Sequence, residues 1–150
     1  MLKDICNTNV YTISPTSSVA EAAKMMYEKH VGILFIVESL KNGKPIGIIS
    51  DRDIITKVIA KDRPIATTVR EVMSTELILA RESDGVQDTI AKMRQRGIRR
   101  IGVVGEDDQL FGVLSADDLY EMLSKEFNEL ASISHRQIAN ESTGYEVVVA

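Results

Sequence analysis

Gly47-Ile48-Ile49-Ser50-Asp51-Arg52-Asp53 returns later in the chain as Gly112-Val113-Leu114-Ser115-Ala116-Asp117-Asp118. In both copies a glycine and two apolar residues lead to a serine, and an aspartate follows three residues on. The apolar run before the serine reads as a strand. The residues after it, Asp51 to Ile59 and Ala116 to Leu123, have helical spacing. A serine followed three positions later by an acid is a capping box, which satisfies the free amides of a helix start. The same junction offers amides and a positive dipole to an anion, and its aspartate can accept hydrogen bonds from a ribose diol. From these residues alone both readings stand.

Outward from this stretch, the rest of the chain repeats as well. Leu2-Lys3-Asp4-Ile5-Cys6-Asn7 aligns with Val69-Arg70-Glu71-Val72-Met73-Ser74 at an offset of 67, and Val19, Met26 and Val37 fall on Val86, Met93 and Val104. A hairpin two residues shorter in the second copy changes the offset to 65, so Ser50 meets Ser115 and Asp53 meets Asp118. Short extended pieces, Val10 to Ile13 and Leu77 to Ala80, open the copies. Ser17-Ser18 and Ser83-Asp84 then supply N-caps for helices with apolar stripes at Val19, Ala22, Ala23, Met26 and at Val86, Ile90, Met93.

The runs Ile33 to Val37 and Ile101 to Val104 are too short for helices and read as buried strands. Turn residues follow them, Lys41-Asn42-Gly43-Lys44 and Gly105-Glu106-Asp107-Asp108, before the return strands Ile46 to Ile49 and Phe111 to Leu114. Each copy is thus strand, helix, strand, strand, helix. A copy of ~60 residues cannot cover both faces of its sheet, so the two are expected to pack together through their sheets. The fold class is α+β, with repeats at 1–66 and 67–124 and a C-terminal extension at 125–150. The helical pattern runs on through Phe127, Leu130, Ile133 and Ile138 until Ser142-Thr143-Gly144. That face fits a partner helix or a dimer mate, or else a fold-back onto its own core. Tyr145 to Val149 reads as a strand or as disorder.

The composition is that of an ordinary globular chain: 150 residues, 44% hydrophobic and 27% charged. Cys6 is the single cysteine, which rules out an internal disulfide and a four-cysteine zinc site. With no apolar run of membrane length, a cytoplasmic location is expected. The net charge of −4 argues against a nucleic-acid polymer as partner. A local exception is Lys92, Arg94, Arg96, Arg99 and Arg100, which lie within nine acid-free residues and suit one small anion.

The architecture, twice over, resembles a tandem pair of cystathionine-beta-synthase (CBS) domains, the Bateman module, across residues 1 to about 123. The resemblance is carried by the lead-ins Leu2 to Cys6 and Val69 to Met73, the strand Ile98 to Val104, and the two Gly-x-x-Ser-x-x-Asp stretches. It implies two clefts between the repeats that take adenosine-containing ligands. AMP, ADP and ATP come first, with S-adenosylmethionine and NADH behind them. It further implies that Ser50 with Asp53, and Ser115 with Asp118, hold ribose hydroxyls. Thr12 and Ile13, or Leu79 and Ala80, would line an adenine pocket mostly through backbone groups. Arg99 and Arg100 would clamp phosphate, guanidinium forks matching its oxygens, and Arg52 is a further candidate.

The first copy departs from the pattern, with Gly32 and Ile33 in place of the arginine pair. One strong site is therefore expected rather than two. Gly102 and Phe35 stand where the family commonly has proline. His30 reads as a solvated bystander and His135 as a surface residue.

No GxGxxG, Walker sequence, metal-ligand spacing or nucleophile with a nearby base is present in the sequence. The expectation is a non-catalytic sensor that binds an adenine nucleotide, needs no cofactor, forms a homodimer and acts on a partner protein. A structural dimerisation scaffold with empty clefts is the alternative, and a small nucleotide hydrolase is a weaker third. The placement of Arg99 and Arg100 separates the first two, because helix capping needs only Ser and Asp. Guanidinium groups in the cleft favour sensing, and guanidinium groups in bulk solvent favour the scaffold.

Overall fold

The computed structural model describes residues 1–39 and 43–144. Its first sheet has the order β1 (Thr12–Ile13), β2 (Ile33–Val37), β3 (Pro45–Ser50), with α1 (Val19–Lys29) between β1 and β2 and α2 (Asp51–Lys57) after β3. The second sheet repeats this with β4 (Leu79–Arg81), β5 (Arg100–Val104) and β6 (Leu110–Ser115), and with α4 (Val86–Arg96) and α5 (Ala116–Ser142) as its helices. A one-turn helix, α3 (Val69–Val72), precedes the second sheet. In each sheet the first pairing is parallel and the second antiparallel. This is the expected α+β architecture, twice.

Sequence and burial agree on why these segments form. The central strands β2 and β5 are covered on both faces, which is why they read as unbroken apolar runs. In β3 the burial alternates, with Pro45, Gly47 and Ile49 inward. Leu34, Ile36 and Ile49 are fully buried in the first core, as are Leu2, Val103 and Leu114 in the second. Each such side chain contributes roughly 1.5–3 kcal/mol relative to exposure.

The two bodies exchange their lead-ins. Leu2, ahead of the first repeat, is buried in the second core, while Val69 and Val72, ahead of the second repeat, are buried in the first. Asn7 makes an antiparallel bridge to Val113, with N–H to O distances of 2.9 Å in both directions, and Ser74 makes the matching bridge to Ile48. Sequence repeat and packed body are therefore not the same unit.

The structure corrects several local expectations. Helix α4 is capped by Gly85 rather than by Ser83 or Asp84. The Asp84 carboxylate instead accepts the Arg81 amide at 2.9 Å, closing the preceding turn. Ala23 and Ile90 are exposed, and Thr89 takes the buried place. It can do so because its hydroxyl donates to the Gly85 carbonyl at 2.9 Å, leaving no unsatisfied polar group. His30 has a specific backbone role: at φ 54° it is the left-handed cap of α1, where the second repeat has Gly97 at φ 63°. The turn residues Lys41 and Asn42 and the segment Tyr145 to Val149 lie outside the described residues.

Helix α5 is continuous through Ser142, so the fold-back onto its own core does not occur. Beyond Leu119 its Leu123, Phe127, Leu130, Ile133 and Ile138 are exposed. No helix among the described residues is long and apolar enough to cross a membrane.

Candidate functional site

The site starts from the two capping boxes. Ser115 ends β6 and caps α5. Its backbone N–H and hydroxyl both donate to Asp118 Oδ2, at 2.7 and 2.6 Å, and its Oγ accepts the Asp118 amide at 3.2 Å. Ser50 and Asp53 repeat the arrangement at 2.9, 2.8 and 3.1 Å. Capping is therefore real in both copies, and each box occupies one carboxylate oxygen. The second oxygen separates them. Asp53 Oδ1 pairs with Lys57 Nζ at 2.9 Å, whereas Asp118 Oδ1 has no hydrogen-bond or ion-pair partner among the described residues. Burial raises the pKa of Asp53, but the bonds from Lys57 and Ser50 outweigh it and the carboxyl sits below its ordinary value.

Asp118 lines a cleft of about 170 Å³ between the repeats and also, with Asp4, Cys6 and Met122, a second cavity of about 300 Å³. The first repeat supplies Val10, Tyr11, Gly32 and Ile33; the second supplies Arg100, Val113, Ser115 and Asp118. Asn7, Asn9, Val31 and Phe35 complete the wall. Apolar strand residues, amide side chains, an aromatic ring, one carboxylate and one guanidinium converge here. Such a mixture suits a ligand with a flat apolar part, a hydroxylated part and a negative charge.

At the pseudo-symmetric place lies a smaller cavity of about 100 Å³, lined by Phe35, Ile48, Glu76, Leu77, Ile78, Ile98, Arg100 and Gly102. Arg100 and Phe35 are common to both. Phe35 leans over Gly102, so that a Cβ there would stand 2.8 Å from its ring.

Of the residues singled out from sequence, the larger cleft brings together Ser115, Asp118 and Arg100. It does not include Ser50, Arg52, Asp53 or Arg99, and Arg52 is exposed on α2. Arg99 is exposed, 3.6 Å from the Asp117 carboxylate, so the two arginines do not form one clamp. Thr12 and Ile13 do not line the cleft, since Ile13 turns into the first core; Val10 and Tyr11 face it instead. Ala80 is likewise buried in the second core, and the Leu79 carbonyl accepts Lys92 Nζ at 3.0 Å in a separate groove. Sequence reasoning missed Asn7, Asn9, Tyr11 and Lys57, whereas Phe35, noted for standing in place of a proline, does line the wall. For Lys57 a signal existed, because its counterpart at the 65-residue offset is Met122.

Fold and site together define a class: a paired α+β repeat with a cleft at the seam. The CBS domain model matches residues 2–60 and 69–125, and the chain belongs to that family as a tandem pair. The chain is 36% identical over 140 residues to the CBS domain-containing protein YhcV of Bacillus subtilis, covering 91% of this chain and 97% of that one. Among solved structures it is similar to an uncharacterized conserved protein from Pyrococcus horikoshii, with 27% identity, a TM-score of 0.73, and 81% and 89% of the two chains covered. It is also similar to the CBS domain pair of protein MJ0100 in complex with 5'-methylthioadenosine and S-adenosylmethionine, at 28% identity and a TM-score of 0.73, covering 84% and 97%.

Proposed function

We propose that the chain is a non-catalytic regulatory module that binds an adenine nucleotide, AMP, ADP or ATP, in the Asp118 cleft and thereby modulates a partner protein. The observation that carries this is the convergence of Ser115, Asp118 and Arg100 on one cavity between the repeats. A capped helix needs no arginine there, and a scaffold needs no cleft. The adenosine ligands of the structurally similar MJ0100 pair support the same ligand class.

The roles follow from chemistry. Asp118 Oδ1 accepts from a ribose hydroxyl. Val10, Tyr11 and Ile33 cover the base, and Asn7 or Asn9 offers amide groups to its edge. At about 170 Å³ the cleft is below the ~300–1,000 Å³ usual for whole ligands of drug size, so the phosphates project to the rim. Arg100 is exposed there and meets them. Arg99 is left as a surface cation.

A thermal-shift panel of AMP, ADP, ATP, S-adenosylmethionine and NADH tests the proposal. Ligand that binds only the folded chain adds RT ln(1 + [L]/Kd), about 2.7 kcal/mol at a hundredfold excess over Kd. Melting should rise with an adenine nucleotide. An unchanged transition across the panel at millimolar concentration would favour the scaffold.

A further inference from the structure

One turn beyond the two capping boxes, a single side chain separates the surroundings of their aspartates. Lys57, in the last turn of α2, sends its ammonium back to Asp53 Oδ1 at 2.9 Å, to the Val72 carbonyl at 3.0 Å and to Ser74 Oγ at 3.4 Å. An ammonium has three N–H donors, and all three are used. Asp53 is nearly full, with both acceptor positions of Oδ2 taken by Ser50 and one of the two on Oδ1 taken by Lys57. A ribose diol offers two donors, and the single acceptor position left on this carboxylate cannot receive both without displacing the lysine. At the equivalent position the second repeat has Met122, which has no N–H to donate.

The cavities record the consequence. The smaller one is lined by Ile48, Leu77, Ile78, Ile98 and Gly102, which match Val113, Val10, Tyr11, Val31 and Phe35 of the larger one position for position. What it lacks is the polar end, since Ser50 and Asp53 do not line it. Glu76, paired with Arg96 at 3.4 Å, stands where the larger cleft has Asn9.

We infer that Lys57 closes the first-repeat cleft by occupying the ligand's place on Asp53, and that each chain therefore holds one adenosine ligand, at Asp118. This rests on the nucleotide reading of the Asp118 cleft. Breaking the lysine's three bonds would also loosen the second lead-in, since Val72 and Ser74 belong to it. The closed cleft is thus a strut between repeats, and the open one is the site.

Isothermal titration of AMP into the full chain tests this in three proteins. Wild type should bind one AMP per chain. Asp118→Ala should lose that binding by tenfold or more, with no second site emerging. Lys57→Met, which transplants the second repeat's residue, should raise the stoichiometry from one toward two while its far-UV circular dichroism stays native. Two AMP per wild-type chain, or one AMP retained at unchanged affinity in Asp118→Ala, overturns the inference even if Lys57→Met does not fold. A folded Lys57→Met that still binds one also overturns it. If no AMP binds to wild type at millimolar concentration, the nucleotide reading itself fails and takes this inference with it.

Discussion

Lys57 and Met122 occupy equivalent positions, and a single side chain there decides whether an aspartate is a strut or a free acceptor. Met122→Lys should therefore mimic the first repeat, placing an ammonium against Asp118 and weakening AMP at least tenfold in titration; unchanged affinity would count against the assignment. Arg100 makes a second residue-scale case. A charge-assisted hydrogen bond is worth roughly 1.5–3 kcal/mol, a tenfold or larger change in affinity. Arg100→Ala should accordingly weaken AMP by tenfold or more while leaving adenosine, which lacks the phosphate, within about threefold. Arg99→Ala should change neither. Equal losses for AMP and adenosine would remove Arg100 from the phosphate role. Asp53 gives the pH dependence. Its folded pKa is depressed below the ordinary 3.8, so its contribution is present above that value and is lost as pH falls through the folded pKa. The stability gap between wild type and Asp53→Asn, measured by urea denaturation, should be full near pH 7 and shrink below about pH 4.

At the scale of elements, the exchanged lead-ins have a direct test. Leu2 is fully buried in the second core although it precedes the first repeat. Leu2→Ala should cost about 2–5 kcal/mol in denaturant unfolding, as for a core leucine, whereas a mobile N-terminal tail would show almost nothing. The lead-ins also explain the glycines that open the two recurring stretches. A Cβ on Gly112 would stand 2.9 Å from both Cys6 Sγ and the Asn7 carbonyl, and one on Gly47 would stand 2.7 Å from Met73 Sδ. Much of this level was legible in the sequence, because caps, turns and apolar periods are local. The Ser50 and Ser115 boxes are read from four consecutive residues. Lys57 was not legible as a plug, because Val72 and Ser74 lie 15 and 17 residues away and only the exchanged lead-in brings them near. Thr12 and Ile13 were assigned to the cleft two positions late, since the short β1 begins only after Val10 and Tyr11 have passed the seam. Ile90 failed as a core residue because a hydrogen-bonded threonine satisfied the interior better than the hydropathy pattern suggested.

For the molecule as a whole, the cleft exists because two incomplete bodies are pressed together, each borrowing the other's lead-in. On the reading proposed above, ligand in that seam bridges both bodies. Leu123, Phe127, Leu130, Ile133 and Ile138 leave an exposed apolar series along α5, and self-association through them is the expectation. Phe127→Asp with Leu130→Asp should shift a light-scattering mass from dimer toward monomer without altering AMP affinity, since neither residue lines the cleft. The most direct measurement is a crystal structure of the chain grown with AMP. The account places the nucleotide between the repeats, with a ribose hydroxyl about 3 Å from the free oxygen of Asp118 and the phosphate at Arg100. An empty cleft in a crystal saturated with AMP, or AMP seated on Asp53 with Lys57 displaced, would contradict it.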